Sequence, residues 1–133
     1  MNKPSASKEK LPLSVLVLDD VPTWRRLVKS ILESELGISA VVASNGQEAL
    51  EILKSTPFDV VVSDLNMPGM SGIQFLHRAK PAFPRTKFVI MTADAVTCTM
   101  SQECMARGAL ALVAKDEIDP SLLELLRNLK ESN

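Results

Sequence analysis

The chain has 133 residues and a formal net charge of −1 at pH 7, which suits a single domain that buries an ordinary hydrophobic core. Its near-neutral charge gives no overall field to attract nucleic acid or an anionic membrane. No apolar run approaches the roughly 20 residues of a membrane span, and residues 1–10 lack the apolar core of a signal peptide. We therefore expect a cytoplasmic protein that binds neither membrane nor nucleic acid.

Residues 1–11 are polar and predict a flexible leader, followed by one domain over residues 12–131. Strand-like and helix-like segments then alternate without a break. Short apolar runs predict strands over about 13–19, 38–43, 58–63, 86–91 and 109–114. Apolar residues at helical spacing predict helices over 22–33, from a cap at 44 or 45 to about 53, over 73–80, over 94–107, and from 119 onward.

Helix-breaking residues set the expected ends of these helices. Gly37 stops the first helix and Gly108 the fourth, whereas Pro81 and Pro84 terminate the third. Strands that are apolar on both faces, alternating with helices, are typical of a parallel sheet between two helical layers. The sequence thus predicts the α/β class, with a doubly wound sheet in a three-layer sandwich.

Polar residues collect where the predicted strands end. Asp19 and Asp20 follow the first strand, Asp64 the third, Thr92 the fourth and Lys115 the fifth. The carboxyl ends of neighbouring parallel strands meet in one crevice, where open α/β sheets bind ligands. Three carboxylates gathered there repel one another unless a cation joins them. Hard oxygen ligands suit Mg²⁺ better than zinc, so the sequence predicts a magnesium site.

The same residues suit phosphorylation of a carboxylate. The Lys115 ammonium can pair with one phosphoryl oxygen and the Thr92 hydroxyl can donate to another. With charge neutralised by Mg²⁺, Asp64 can attack phosphorus and become an acyl phosphate.

Four motifs occur in an order and spacing that resemble the receiver domains of response regulators in two-component signalling. They are Val17-Leu18-Asp19-Asp20, Val62-Ser63-Asp64-Leu65-Asn66-Met67-Pro68-Gly69, Met91-Thr92-Ala93 and Lys115. The resemblance covers about residues 12–130 and is closest in kind to single-domain receivers of the chemotaxis type. It implies a flavodoxin-like (βα)5 fold with strand order 2-1-3-4-5, and a signalling module rather than an enzyme.

The resemblance also implies roles for the acidic residues. Asp64 would be the phosphoryl acceptor and would bind Mg²⁺ together with Asp20 and the backbone carbonyl of Asn66. Asp19 would hold a metal-bound water. Asn66 and Asp94 occupy the two positions that tune dephosphorylation in this family, and we expect rapid self-hydrolysis because both side chains can orient water.

Phosphoryl binding and switching are likewise implied by the resemblance. Thr92, Lys115 and the amide of Leu65 or Ala93 would hold the phosphoryl oxygens. Movement of Thr92 would shift the face formed by the fourth helix, fifth strand and fifth helix. The family usually has an aromatic residue three positions before the lysine, whereas this chain has Leu112 and no tyrosine. We therefore expect an atypical output switch.

The lysine departs from the family pattern as well, because Asp116 follows Lys115 where the family usually has a proline in a cis peptide. A non-proline cis bond costs about 2.5–4 kcal/mol, so the loop is expected to be either trans or strained. Asp116 also brings an acid that competes with phosphate for Lys115.

Three functions remain in competition. The first is a stand-alone phosphoacceptor that receives its phosphoryl group from a histidine kinase or a phosphotransfer protein and acts on an unidentified downstream protein. The second is a phosphatase of the haloacid dehalogenase class, whose Asp-x-Asp motif after the first strand is absent from Asp19-Asp20-Val21. The third is a degenerate receiver that serves as a phosphorylation-independent scaffold, which Leu112 and Asp116 leave open.

Overall fold

The computed structural model describes residues 13–132, and the predicted leader over 1–11 lies outside the described residues. Five parallel strands form one sheet in the order β2-β1-β3-β4-β5, which confirms the predicted doubly wound, flavodoxin-like arrangement. The strands are β1 (Val15–Leu18), β2 (Ala40–Ala43), β3 (Val60–Asp64), β4 (Lys87–Thr92) and β5 (Ala111–Ala114). The helices are α1 (Pro22–Leu36), α2 (Gly46–Ser55), α3 (Gly72–Ala82), α4 (Cys98–Ala106) and α5 (Leu123–Ser132).

The sheet separates two hydrophobic cores. Successive side chains of a strand point to opposite faces, so Val15 and Val17 pack in one core with α1 and α5. Leu16 and Leu18 pack in the other core with α2, α3 and α4. Because β1 and β3 are covered on both faces, they are apolar along their length until the carboxyl end. In the described residues, no helix is both long enough and apolar enough to cross a bilayer.

Two helix boundaries differ from the sequence prediction. α3 was predicted to end before Pro81, but it runs on to Ala82. A proline in the last turn removes only one backbone bond, and the Phe83 amide still donates to the Ala79 carbonyl at 2.8 Å. α4 was predicted from residue 94, but it begins at Cys98. Thr97 caps it by accepting the Met100 amide at 3.1 Å, and the β-branched Val96 just before the cap disfavours helix.

The last helix also begins later than predicted. Lys115–Glu117 forms a 3₁₀ turn and Ile118–Leu122 a wide π turn, so regular α-helix starts at Leu123 rather than at residue 119. Pro120 has no N–H to donate within this turn. The expected leucines still face inward, with Leu122, Leu123 and Leu126 buried.

The two cysteines divide between core and surface. The spacing of Cys98 and Cys104 suits neither a CxxC redox pair nor a zinc site, which predicts two thiols that pack within the fourth helix. Cys104 is buried as predicted, whereas Cys98 is exposed at the first residue of α4, so the predicted packing is wrong for Cys98.

Candidate metal centre at the carboxyl edge of the sheet

Strand register explains why the acidic residues meet. β1 pairs in parallel with β3, and Leu18 stands opposite Ser63, so the next residues along the two strands, Asp19 and Asp64, lie side by side. One carboxylate oxygen each from Asp19, Asp20 and Asp64 falls within 4.8 Å of the others. The predicted convergence of these acids is therefore present.

The same register brings the fifth strand to the site. Thr92, the last residue of β4, stands opposite Ala114, the last residue of β5, and Lys115 follows directly. The Lys115 Nζ lies 2.9 Å from Asp19 Oδ2 and 3.4 Å from Asp64 Oδ2. Its side chain is only 13% exposed, so a single ammonium is shared by two buried carboxylates.

One ammonium does not fully compensate this cluster. Burial raises the pKa of the Asp64 carboxyl above its ordinary value, and the nearby Asp19 charge raises this pKa further. Lys115 and the Asn66 amide act in the opposite direction but do not cancel the effect. The site therefore has more negative charge than its own cation stabilises.

Oxygen atoms without partners test whether a metal ion fits. Asp20 Oδ1 is buried and has no hydrogen-bond partner among the described residues. Asp19 Oδ2 makes its ion pair with Lys115 but accepts no hydrogen bond of good geometry from residues 13–132. Buried acceptors are nearly always satisfied, and carboxylate oxygens are the ligands that Mg²⁺ prefers. The donor set thus fits a magnesium ion.

Asp19 is held in place by the backbone that leaves β1. Its Oδ1 accepts the Val21 amide at 2.9 Å, and its backbone carbonyl accepts the Arg25 guanidinium at 2.7 Å. The helical pattern predicts that Arg25 and Arg26 lie on a solvated face of this helix. Arg25 is instead half-buried, because its guanidinium donates to the Asp19 carbonyl at the edge of the sheet.

The loop after β3 is tightly fitted to the sheet. The Leu65 amide donates to the Met91 carbonyl at 2.7 Å, so the predicted phosphoryl role of this amide would require exchange of that bond. The Asn66 amide points to Asp64 Oδ1 at 3.4 Å. Gly69 turns the chain with a φ of 79°, a left-handed conformation that favours glycine.

Sequence reasoning overlooked Gly72, which begins α3. Its amide donates to the Leu65 carbonyl at 2.8 Å. A Cβ atom at this position would lie 2.9 Å from Leu65 Cα and closer still to the Asp64 carbonyl oxygen. Glycine here lets α3 approach the backbone of the acidic residue, and a glycine at the start of a helix was the available signal.

The predicted hydrolysis-tuning pair lies together at the mouth of the site. Asn66 Nδ2 is 3.5 Å from Asp94 Oδ2, and both residues are exposed. Thr92 is fully buried, and its hydroxyl oxygen accepts the Asp94 amide at 3.1 Å. Ala93 is exposed between them.

The predicted switch position lies away from this mouth. Leu112 is the second residue of β5. Its side chain is buried in the core that includes α4. The roles expected of Leu112 and Thr92 in switching stay predictions.

Comparison with known proteins identifies the family of this chain. The family described as "Response regulator receiver domain" matches residues 15–127. The chain is 41% identical over 86 residues to chemotaxis protein CheY-3 of Vibrio cholerae, a stretch that covers 62% of this chain and 65% of that protein. It is 35% identical over 103 residues to a protein-glutamate methylesterase/protein-glutamine glutaminase of Rhodospirillum rubrum, covering 77% of this chain and 28% of that protein.

A solved structure adds a ligand to the comparison. The response regulator TrrA of Thermotoga maritima, in complex with Mg²⁺ and BeF, superposes with a TM-score of 0.77 at 30% identity, covering 88% of this chain and 98% of that one. The curated relatives vary in length, and this chain spans between 28% and 55% of the first four that it matches.

Proposed function

Because this chain belongs to the response regulator receiver domain family, a signalling module of two-component systems, we propose that it accepts a phosphoryl group on Asp64. The observation that carries the proposal is the cluster of Asp19, Asp20 and Asp64 around the Lys115 ammonium. A divalent cation and the Lys115 ammonium can together neutralise the negative charge of these acids and of an incoming phosphoryl group, so that the Asp64 carboxylate can react with phosphorus.

Receiver domains bind Mg²⁺ at an acidic pocket, and we propose for this chain the ligand set that its resemblance to the family implies. Asp20 and Asp64 would hold the ion directly together with the Asn66 carbonyl, and Asp19 would hold it through water. Bound there, Mg²⁺ would neutralise charge between the acids and the incoming phosphoryl oxygens. Asp20 Oδ1 is buried and has no hydrogen-bond partner in the part of the chain that the structure describes, which supports this proposed ligand set.

Receiver domains interact with histidine kinases or phosphotransfer proteins, and we propose a phosphohistidine as the donor. A carboxylate oxygen of Asp64 attacks phosphorus while the phosphorus–nitrogen bond breaks and the histidine leaves, which produces an acyl phosphate on Asp64. The Lys115 ammonium already contacts the Asp64 carboxylate and can donate an N–H to a phosphoryl oxygen once Asp64 is phosphorylated. Thr92 accepts the Asp94 amide, so its own hydroxyl hydrogen can donate to another phosphoryl oxygen.

The output surface in this proposal is the face formed by α4, β5 and α5. Within α4, only Cys104 is buried, so few core contacts oppose movement of the helix. Leu112 is buried on β5 where the family usually has an aromatic residue. We infer that the phosphoryl group moves this face through Thr92 and the backbone, and that a downstream protein reads the change.

Self-dephosphorylation is the finer part of the proposal. Asn66 and Asp94 lie side by side at the exposed mouth, where both can orient a water that attacks the acyl phosphate. After loading with acetyl phosphate and Mg²⁺, Asn66→Ala and Asp94→Ala are expected to release phosphate more slowly than wild type. Equal release rates in wild type and both variants would contradict this role.

The test of the acceptor uses intact-mass measurement after incubation with acetyl phosphate and Mg²⁺. Wild type is expected to gain one phosphoryl group, and Asp64→Asn is expected to gain none. Asp59→Asn is the matched control, because Asp59 lies beside the amino end of the same strand and should be labelled like wild type. Labelling of Asp64→Asn to the wild-type level would overturn the assignment.

The same assay separates the competing functions. Labelling with one phosphoryl group per chain, which is then lost at a measurable rate, supports a phosphoacceptor module rather than an enzyme. Steady turnover of a small phosphate ester would favour a phosphatase. Failure of wild type to be labelled would favour a scaffold. We propose that the module acts in the cytoplasm, where kinases have access to ATP.

A further inference from the structure

Trp24 lies in the first turn of α1, close to the Lys115 ammonium that would bind a phosphoryl oxygen in the proposed reaction. Its ring centroid is 5.2 Å from Lys115 Nζ. This distance is within the range at which an ammonium is attracted to the face of an aromatic ring. Ninety-one positions separate Trp24 from Lys115 in the sequence, and the fold alone brings them together.

The indole and the carboxylates together confine the ammonium. Asp19 and Asp64 each contact Lys115 Nζ, and its side chain is only 13% exposed. Lysine has a flexible stem with high rotamer entropy, so its head stays at one place only where several contacts hold it. Trp24 provides the only aromatic ring recorded against this ammonium within the described residues.

Simple core packing does not explain the choice of tryptophan. Trp24 packs against the core on the α1 side, but its Nε1 is buried and has no hydrogen-bond partner among the described residues. A buried donor without a partner is unfavourable. Phenylalanine would pack without that donor, whereas indole offers a cation the most attractive face of the aromatic side chains.

We propose that Trp24 is a positioning residue for phosphoryl transfer, holding the Lys115 ammonium over the acid cluster through its indole face. The inference rests on the proposed acceptor role of Asp64 and extends it to a residue outside the motifs. With the ring removed, Lys115 samples more positions, and the ammonium is less often placed to meet a phosphoryl oxygen.

The first experiment tests the contact without any phosphorylation. Trp24 is the only tryptophan in the sequence, so the protein's indole fluorescence reports on it alone. In metal-free buffer, Lys115→Met is expected to shift the emission maximum, whereas Lys54→Met, on the exposed face of α2, is expected to leave it unchanged. An unchanged emission maximum in Lys115→Met would overturn the inference about Trp24, even if Asp64 of the wild-type protein is phosphorylated as proposed.

The second experiment measures what the contact does. With acetyl phosphate and Mg²⁺, Trp24→Leu is expected to be phosphorylated about three- to tenfold more slowly than wild type, with Trp24→Phe between them. Mg²⁺ affinity should stay within about twofold, because a cation–π contact to Lys115 supplies no metal ligand. Leu27→Ala, on the exposed side of α1, is the control and should match wild type.

Protein made with fluorinated tryptophan decides the matter even if Trp24→Leu fails to fold. Fluorine weakens the negative face of the ring while leaving its shape nearly unchanged, so a cation–π role predicts slower labelling of the fluorinated protein. Equal rates for fluorinated and ordinary protein would overturn the proposal and leave Trp24 with a packing role. Absence of labelling in wild type would instead overturn the acceptor function itself, while the emission experiment still reports on the contact.

Discussion

The two ends of β3 carry acids in opposite states. Asp59, just before the strand, is exposed and accepts the Ser14 amide at 2.8 Å and the Ser14 hydroxyl at 3.1 Å. Asp64, at the other end, is 4% exposed, and its contacts with Lys115 and the Asn66 amide are both 3.4 Å long. Asp59 is therefore stabilised by hydrogen bonds and by solvent, whereas Asp64 is buried and its polar contacts are longer.

The difference extends to the two edges of the sheet. At the amino edge, Thr86 is buried but donates its hydroxyl to the Phe58 carbonyl at 2.8 Å. At the carboxyl edge, Asp19 Oδ2 and Asp20 Oδ1 are buried and accept no hydrogen bond from the described residues. Satisfied polar groups stabilise a fold, whereas unsatisfied buried acids cost stability and remain available to a cation. The comparison therefore separates acids that hold the fold from acids available for chemistry.

The largest expected effect follows from the close approach of α3 to the acceptor end of β3. Gly72→Ala should lower the free energy of unfolding by about 1–3 kcal/mol or more, because the new Cβ meets backbone atoms of Asp64 and Leu65. Gly46→Ala is the control, since its Cβ would meet the Met70 sulfur at 2.5 Å, which a flexible side chain can move. Urea unfolding measures both, and equal losses would contradict the backbone explanation.

The next effect concerns metal affinity. Asp20→Asn should weaken Mg²⁺ binding by about tenfold or more, since even outer partners of a metal site are often worth that much. Asp59→Asn should bind Mg²⁺ like wild type, because its carboxylate lies at the other end of the strand. Calorimetric titration checks this, and equal affinity of wild type and Asp20→Asn would remove Asp20 from the ligand set.

Stability in the presence of a chelator should respond to pH through Asp64. Its raised pKa means that the folded protein binds this proton more tightly than the unfolded chain does, so ionised Asp64 lowers stability above the folded pKa. Asp64→Asn should therefore melt at a higher temperature than wild type at pH 7.5. The gap should close as the pH falls through the folded pKa towards the unfolded value of about 3.9. A gap that is independent of pH would refute this explanation.

The smallest effect is expected at the opposite end of the strand. Asp59→Asn should lose about 1 kcal/mol of unfolding free energy, because an amide oxygen accepts from Ser14 less strongly than a carboxylate. Since Asp64→Asn should stabilise the metal-free protein at pH 7.5, the two substitutions on one strand are expected to have opposite signs. Thermal melts under one buffer measure both, and matching signs would break the contrast between the two ends.

Much of the site could be predicted from residue order. Asp19, Asp64, Thr92 and Lys115 were expected together because each follows or ends a predicted strand, and parallel strands end at a common edge. The helix errors at Pro81 and at residues 94–97 have a local cause. Propensity sets only a weak preference, and a cap or one lost bond in a terminal turn moves the boundary.

By itself, the sequence determined the fold class, the carboxyl edge as the place of the chemistry and the acids that gather there. These follow from local hydrophobic periodicity and from the polarity of strand ends, which neighbouring residues encode. Only the tertiary structure decided that Arg25 bonds the Asp19 carbonyl, that Gly72 abuts Asp64 and that Trp24 faces Lys115. Such contacts depend on how helices cross the sheet, and packing between distant segments sets that geometry.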